Sequence, residues 1–430
     1  MNLILKRVMK AKMKSKVFFK TFGCRTNLFD TQVMIENLKD FEVTQNESEA
    51  EIIIINSCSV TNGADSGVKN YLNKMSKTGK KLYFTGCGVK TKGKEFAPLL
   101  NGIFDHTHKE NINSLLQENK PFFFTSENED THIDKTLVSE FVGKSRAFIK
   151  IQEGCDFACS YCIIPFTRGK ARSLPQDSIL KQISLLAQKG VQEVVLTGTN
   201  MGSYGKDTQT SVPKLIKAIS KIQGIKRIRI GSLEPSQIDD EFLELLGEEF
   251  LEKHLHIALQ HSHNSMLEIM NRINRFESDL ALLEKIALKG FAIGSDYIVG
   301  HPGESEEIWR EAHENLKLLP LTHIHPFIYS PRDGTPSSTL KPRINGAIAK
   351  KRLHQIKALV IQKNIDFRKN QTQPLEVLIE SFENGVAMGL DEFYNKMKIL
   401  TPTHPLKQWL KITKYETLQE CNQTLLKETR

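Results

Sequence analysis

Between residue 16 and about residue 105, short apolar runs alternate with longer polar stretches. The runs 17–19, 52–55 and 82–84 are rich in Val, Ile, Phe and Tyr, and a segment of helical composition follows each. That order predicts parallel strands joined by helices, an α/β domain with a doubly wound sheet. A polar, weakly periodic stretch covers 106–140, within which 127–136 reads as a linker. Six further β-like runs then occur at 147–151, 193–197, 227–230, 255–259, 293–299 and 324–329. Segments with apolar residues at helical spacing separate them, at 179–188, 215–222, 242–251 and 280–288. A sixfold β/α repeat predicts a partial, open (β/α)6 barrel with its chemistry at the carboxyl ends of the strands. Pro326 inside the last run fits an edge strand, because proline cannot donate to a ladder. A helix over 348–368 closes this domain, and the runs 375–379, 386–390, 397–400 and 409–413 predict a small β-barrel. The expected domains are 16–140, 141–371 and 372–430. Residues 1–15 form a basic extension outside the fold, with Met9 or Met13 as a candidate start.

A length of 430 residues exceeds one ordinary core, and 39% hydrophobic with 25% charged residues describes a folded globular chain. No run of about 18 apolar residues exists to span a membrane. The opening Met1-Asn2-Leu3-Ile4-Leu5 is too short for an export signal. Seven cysteines, three of them within 155–162, suit metal ligation in a reducing compartment, so a cytoplasmic protein without a membrane partner is expected. Of the net charge of +9, the first twenty residues supply seven, so whole-chain charge says little about partners. Two internal clusters say more: 69–94 holds eight lysines and no acid, and 341–369 holds nine basic residues against Asp366. Either could meet phosphate or form a solvated helix face.

The strongest chemical pattern is Cys155-Asp-Phe-Ala-Cys159-Ser-Tyr-Cys162. Such a loop can wrap three thiolates around one 4Fe-4S cluster and leave the fourth iron open. An open iron can chelate the amino and carboxylate groups of S-adenosylmethionine (SAM), and an electron from the reduced cluster then breaks the sulfonium bond to give a 5′-deoxyadenosyl radical. Zinc sites usually have four ligands and a different spacing. Three more cysteines, Cys24, Cys58 and Cys87, each follow one of the first β-like runs, at separations of 34 and 29 residues. Each separation is about one βαβ unit, which places the three at one carboxyl edge of the sheet. Spacing alone leaves open a shared cluster or three unrelated buried thiols. Cys421 has no cysteine near it in sequence and reads as a thiol without a role.

A CxxxCxxC loop after the first barrel strand, with Tyr161 before its last cysteine, is similar to the radical SAM signature. From about residue 17 onward the chain resembles the methylthiotransferases within that superfamily. The motifs are Thr21-Phe-Gly-Cys-Arg-Thr-Asn27, Asn56-Ser-Cys-Ser-Val-Thr-Asn62, Thr85-Gly-Cys87, Gly154 to Gly169, and Tyr329-Ser-Pro-Arg-Asp-Gly-Thr-Pro336. The resemblance implies that Cys24, Cys58 and Cys87 hold a second 4Fe-4S cluster, and that Cys155, Cys159 and Cys162 hold the first. It implies two SAM molecules per turnover: one methylates a sulfur on the second cluster, and one is cleaved to the radical that takes hydrogen from carbon 2 of an adenine. Tyr161, Thr199, Asn200, Gln260 and Asp296 are the expected SAM contacts, although Thr, Asn and Asp at strand ends are also common caps. Residues 295–304 resemble the family's adenine-side motif with His301 in place of an aromatic, and His261-Ser-His263 departs from the usual Ser-Gly. Those two histidines, like His323 and His325, read as ordinary structural residues.

The resemblance extends to the substrate. Asn56–Asn62 with Ala64-Asp65, and Gly231-Ser-Leu-Glu-Pro235, look like the branch that acts on N6-threonylcarbamoyladenosine at position 37 of tRNA. Alternatives are N6-isopentenyladenosine in tRNA, an aspartate of a ribosomal protein, or, from another class, a non-catalytic RNA-binding protein braced by metal. The implied partners are the tRNA anticodon stem-loop and an electron donor such as flavodoxin or ferredoxin. Residues 372–430 resemble a shortened TRAM domain in which Phe393, Tyr394 and Trp409 are candidates to stack on bases or to pack a core. That stretch holds seven basic and eight acidic residues, so Lys350, Lys351, Arg352 and Lys357 are the better candidates for phosphate contact.

Overall fold

Four consecutive isoleucines, Ile52, Ile53, Ile54 and Ile55, are all buried, as the central strand of a sheet covered on both faces requires. The computed structural model describes residues 14–126, 131–139, 141 and 145–426. It divides into two compact units, Met1–Val138 and Ser139–Arg430. The first unit holds six strands: β1 (Lys16–Thr21), β2 (Glu42–Val43), β3 (Ile52–Ser57), β4 (Lys81–Gly86), β5 (Gly102–Phe104) and β6 (Phe122–Phe124). They pair in the order β2-β1-β3-β4-β5-β6, every pair parallel. Helices α1 (Arg25–Glu36), α2 (Asn62–Met75), α3 (Gly88–Phe96) and α4 (Ile112–Leu115) connect them. Alternation along β3 splits the core: Ile53 and Ile55 pack with Val68, Leu72 and Phe84 on one face, while Ile52 and Ile54 pack with Val17, Met34 and Phe104 on the other.

The expected linker over 127–136 falls partly outside the described residues. Its described part returns to the first unit: the buried Lys109 ammonium meets the Asp134 carboxylate directly and Asp30 at 3.6 Å. A buried cation between two carboxylates ties the segment down, which its polar composition had concealed.

In the second unit β7 (Ala147–Glu153) is followed by α5 (Ile164–Arg168), β8 (Arg172–Ser173), α6 (Gln176–Gln188), β9 (Glu193–Gly198), α7 (Val212–Ile219) and β10 (Arg227–Ile230). Then come α8 (Asp240–Glu244), β11 (His254–His256), α9 (Asn264–Ile269), α10 (Phe276–Leu288), β12 (Ala292–Val299), α11 (Glu306–Leu318), β13 (His323–Ile328) and α12 (Gly346–Lys369). Strands β7, β9 and β10 form one parallel ladder, and β11, β12 and β13 another. Single parallel bridges, Ile228 to Leu251 and Leu233 to Ile257, join the two into the expected open six-strand arc, with the Pro326 strand at its edge. Two expectations change. The helix expected over 242–251 ends at Glu244, and Gly247 at φ +136° turns the chain back so that Leu251 bridges β10. The strand expected over 255–259 leaves the ladder at His256, and Gln260 takes a left-handed φ of +67° before it bridges Tyr297.

The C-terminal strands are β14 (Leu375–Glu383), β15 (Val386–Leu390), β16 (Lys396–Leu400), β17 (Trp409–Ile412), β18 (Glu416–Thr417) and β19 (Asn422–Leu425). They form a curled half-barrel in the order β17-β14-β15-β16-β19-β18. The last two are short and polar, which hid them from the pattern. This sheet covers the amino ends of the barrel strands. Arg229 pairs with Glu193 (2.8 Å) and Glu252 (2.6 Å) and donates to the Asp391 carbonyl (2.7 Å), while Ala292 sits in the core of the C-terminal sheet.

Candidate functional site

Strands β1, β3 and β4 are adjacent and parallel, with Thr21 opposite Asn56 and Ser57 opposite Gly86. The chain therefore leaves all three at one edge, where Cys24, Cys58 and Cys87 lie. Cys24 and Cys87 occupy the N-cap positions of α1 and α3. Gly23 adopts φ +100°; a Cβ there would lie 2.8 Å from the Cys58 sulfur, so only glycine lets the Cys24 loop approach Cys58 this closely. Asn27 Nδ2 donates to the carbonyls of Phe22 and Ser57 (both 2.9 Å), and Asn56 Nδ2 donates to the Asn27 carbonyl (2.8 Å), which locks the two loops together.

The second trio lies on the loop after β7, at the carboxyl end of the barrel. Burial raises the Cys155 thiol above its ordinary range, opposed by the Phe157 N–H and by Asn200 Nδ2 at 3.5 Å. Burial also pushes the Cys162 thiol up to about 12, with Cys159 and Cys155 adding to the effect and the Ile164 N–H opposing it. Burial thus disfavours the charged forms of Cys155 and Cys162, which a bound metal centre would offset. A second segment grips the middle of the loop: Ser160 N–H donates to the Met270 carbonyl (2.9 Å), Ser160 Oγ to the Ile269 carbonyl (2.8 Å), and Asn271 Nδ2 to the Ala158 carbonyl (2.7 Å).

The other expected contacts divide. Asn200 is buried and held by the Gln152 side chain, which accepts from its N–H at 2.8 Å. Tyr161 packs against Met266, Met270 and Ile298, and its phenol is kept well above its ordinary pKa by burial. Asp296 faces His256 at 3.2 Å; burial would raise its carboxyl, but the histidine holds it below the usual range. Thr199 and Gln260 are half-buried at strand ends. His261 is buried against Glu304 (3.3 Å) and stacks on Tyr297, His263 caps α9, and His323 lies between Tyr394 and Thr322. Sequence reasoning missed Glu234 and Arg272, which adjoin the Cys155–Cys162 loop, and Gln237, which bonds Asn200. The strand-end rule could have flagged Glu234, which follows β10; nothing in the pattern marks Arg272.

The Phe393, Tyr394 and Trp409 rings are committed to packing. Phe393 is buried, Tyr394 stacks on His254 with centroids 5.0 Å apart, and Trp409 lies under the Arg227 guanidinium at 4.3 Å. Arg352 is buried and pairs with Glu304 (2.7 Å) and Glu306 (2.9 Å), which removes it from the phosphate-contact set; Lys350, Lys351 and Lys357 are exposed.

Residues 149–316 match the radical SAM superfamily, and residues 16–103 match the uncharacterized protein family UPF0004. A Helicobacter pylori protein provisionally named a methylthiotransferase is 60% identical over 95% of this chain and 99% of its own length. The Aquifex aeolicus threonylcarbamoyladenosine tRNA methylthiotransferase MtaB is 36% identical over 85% of this chain and 92% of its own. The chain belongs to the radical SAM methylthiotransferase family. The Thermodesulfovibrio yellowstonii tRNA-2-methylthio-N(6)-dimethylallyladenosine synthase, 32% identical over 89% of this chain and 92% of its own length, is another relative. Among solved structures, the radical SAM methyltransferase TsrM from Kitasatospora setae has a similar fold, with a TM-score of 0.56 at 14% identity over 76% of this chain and 77% of its own.

As a radical SAM methylthiotransferase, the enzyme uses SAM and two 4Fe-4S clusters. The residues present fit those groups. Asn200 Nδ2 and Arg272 Nη1 present donors to the Cys155 and Cys159 sulfurs, and the Gly23 turn brings the Cys24 loop against Cys58, which suits thiolate ligands. When bound, such a cluster supplies the electron that cleaves SAM. The chain's own residues orient the loops, partly bury Cys162 and donate hydrogen bonds toward Cys155.

Proposed function

We propose that this methylthiotransferase converts N6-threonylcarbamoyladenosine at position 37 of tRNA to its 2-methylthio derivative. In this reading Cys155, Cys159 and Cys162 hold the SAM-cleaving cluster, Cys24, Cys58 and Cys87 hold the sulfur-inserting one, and Tyr161, Thr199, Asn200, Gln260 and Asp296 surround SAM. The observation that carries the substrate is the similarity to MtaB at 36% identity, together with Asn56–Asn62 and Gly231–Pro235 in this chain. The exposed Lys350, Lys351 and Lys357 on α12 suit the phosphates of an anticodon stem-loop. A flavodoxin or ferredoxin supplies the electron.

The isopentenyl branch is the second reading, favoured by the synthase relative. Mass spectrometry of tRNA nucleosides from a strain lacking the gene separates the two. Loss of methylthio-threonylcarbamoyladenosine is expected. Loss of only the isopentenyl product moves the substrate to the second reading, and unchanged nucleosides with an altered ribosomal peptide mass refute both.

A further inference from the structure

A continuous hydrogen-bonded belt runs between the sulfurs of two cluster-loop cysteines through residues from three other segments. Asn200, just after β9, donates from Nδ2 to the Cys155 sulfur at 3.5 Å and accepts on Oδ1 from Gln237 Nε2 at 2.8 Å. Gln237 Oε1 in turn accepts from the Glu234 N–H at 3.1 Å, in the turn after β10. The Glu234 carboxylate accepts from Arg272 Nη1 at 2.7 Å, and the same Nη1 lies 3.9 Å from the Cys159 sulfur. Arg272 is buried, its remaining donors being taken by Asn274 (3.0 Å) and the Ala258 carbonyl. A buried guanidinium pinned on three sides and aimed at a thiol is costly to build for packing alone.

We infer that Asn200 and Arg272 are positioning residues that set the reduction potential of the cluster held by Cys155, Cys159 and Cys162, and that Gln237 and Glu234 hold them in register. The inference rests on the ligand assignment proposed above. Its physical basis is charge: reduction adds one electron, and donors or a fixed cation beside the thiolates stabilise the more negative state, so the potential rises. Gln237 touches neither sulfur, yet it orients Asn200 and braces the Glu234 turn. It therefore acts on the cluster only through the belt.

The test uses the full-length chain carrying Cys24→Ala, Cys58→Ala and Cys87→Ala, so that one cluster reports. After anaerobic reconstitution the reduced cluster is followed by electron paramagnetic resonance through a potential titration, with SAM affinity measured in parallel. For Arg272→Gln, the reduced-to-oxidised ratio at the parent's midpoint is expected to fall about tenfold, which is about 59 mV for one electron. Arg272→Lys restores part of the shift, and Gln237→Leu moves the midpoint in the same direction by less. Unchanged midpoints in Arg272→Gln and Gln237→Leu, with about four irons each, overturn the inference, as does weaker SAM binding at an unchanged midpoint. Should Arg272→Gln hold no iron, Gln237→Leu decides. Adding Cys155→Ala must abolish the iron; iron that survives it refutes the ligand assignment itself, whatever Arg272 does.

Discussion

Single side chains decide the chemistry. Replacing Cys159 with Ala is expected to abolish both 5′-deoxyadenosine formation and methylthiolation, and to lower iron from about eight to about four per chain. The change Cys58→Ala should remove a similar amount of iron and stop sulfur insertion, yet leave measurable SAM cleavage. Equal product from Cys58→Ala and the parent would refute its role. Asp105 gives a prediction of another kind. Burial alone would raise its carboxyl, but hydrogen bonds from His108 (2.8 Å), Thr107 and the Ser126 N–H hold it well below the usual range. The fold thus favours the charged form, and this stabilisation is complete above the unfolded value of about 4 and lost as pH falls below it. Urea titrations of Asp105→Asn and the parent should differ by about 1–2 kcal/mol at pH 7. The difference should shrink below about pH 4; a gap independent of pH would remove the ionised carboxylate from the account. The cysteines were legible in the sequence because each is a rare residue at a telling spacing. Arg272 was not, since an arginine after a short helix looks like any surface cation until the fold buries it against Cys159.

At the scale of elements, α12 shows how composition and placement part. Nine basic residues over 341–369 read as one patch, but α12 carries seven of them and turns those to different sides. Arg352 and Arg368 are buried, and Lys363 donates to the last carbonyls of α11, whereas Lys350, Lys351 and Lys357 face solvent. Changing these three lysines to Ala should weaken tRNA binding and flatten the dependence of log K on log salt by about 2–3. The change Arg352→Ala should leave that slope alone and instead lower the melting temperature, because Glu304 would keep a buried charge without its partner. Identical salt slopes for the triple variant and the parent would exclude this face from the RNA interface. Element type was legible where a run was continuously apolar and β-branched, as in β3, or helically spaced, as in α10. It failed at 242–251, where the apolar spacing is helical but Gly247 interrupts it.

At the scale of the molecule, the C-terminal sheet closes the amino end of the barrel as well as extending the chain. Arg146 meets Glu193 (3.3 Å) and Glu380 (2.6 Å), Lys253 N–H donates to the Glu392 carbonyl (2.9 Å), and Ala292 lies in the same apolar cluster as Leu375, Val377 and Met397. Truncation after residue 371 would expose this cluster and leave Arg229 and Glu193 without their cover. The truncated chain is expected to be largely insoluble, or to melt well below the parent. A soluble truncation with the parent's melting temperature and intact iron, but weakened tRNA binding, would instead make the sheet a detachable RNA module.

The sequence by itself determined the two cysteine trios, the order of strands and helices, and the family, because these depend on spacing and local pattern along the chain. Only the tertiary structure decided which polar residues ring the Cys155–Cys162 loop, which aromatics are spent on packing and which cations stay in water. Those outcomes depend on burial and on distances between residues as far apart as Cys159 and Arg272, which no local pattern encodes.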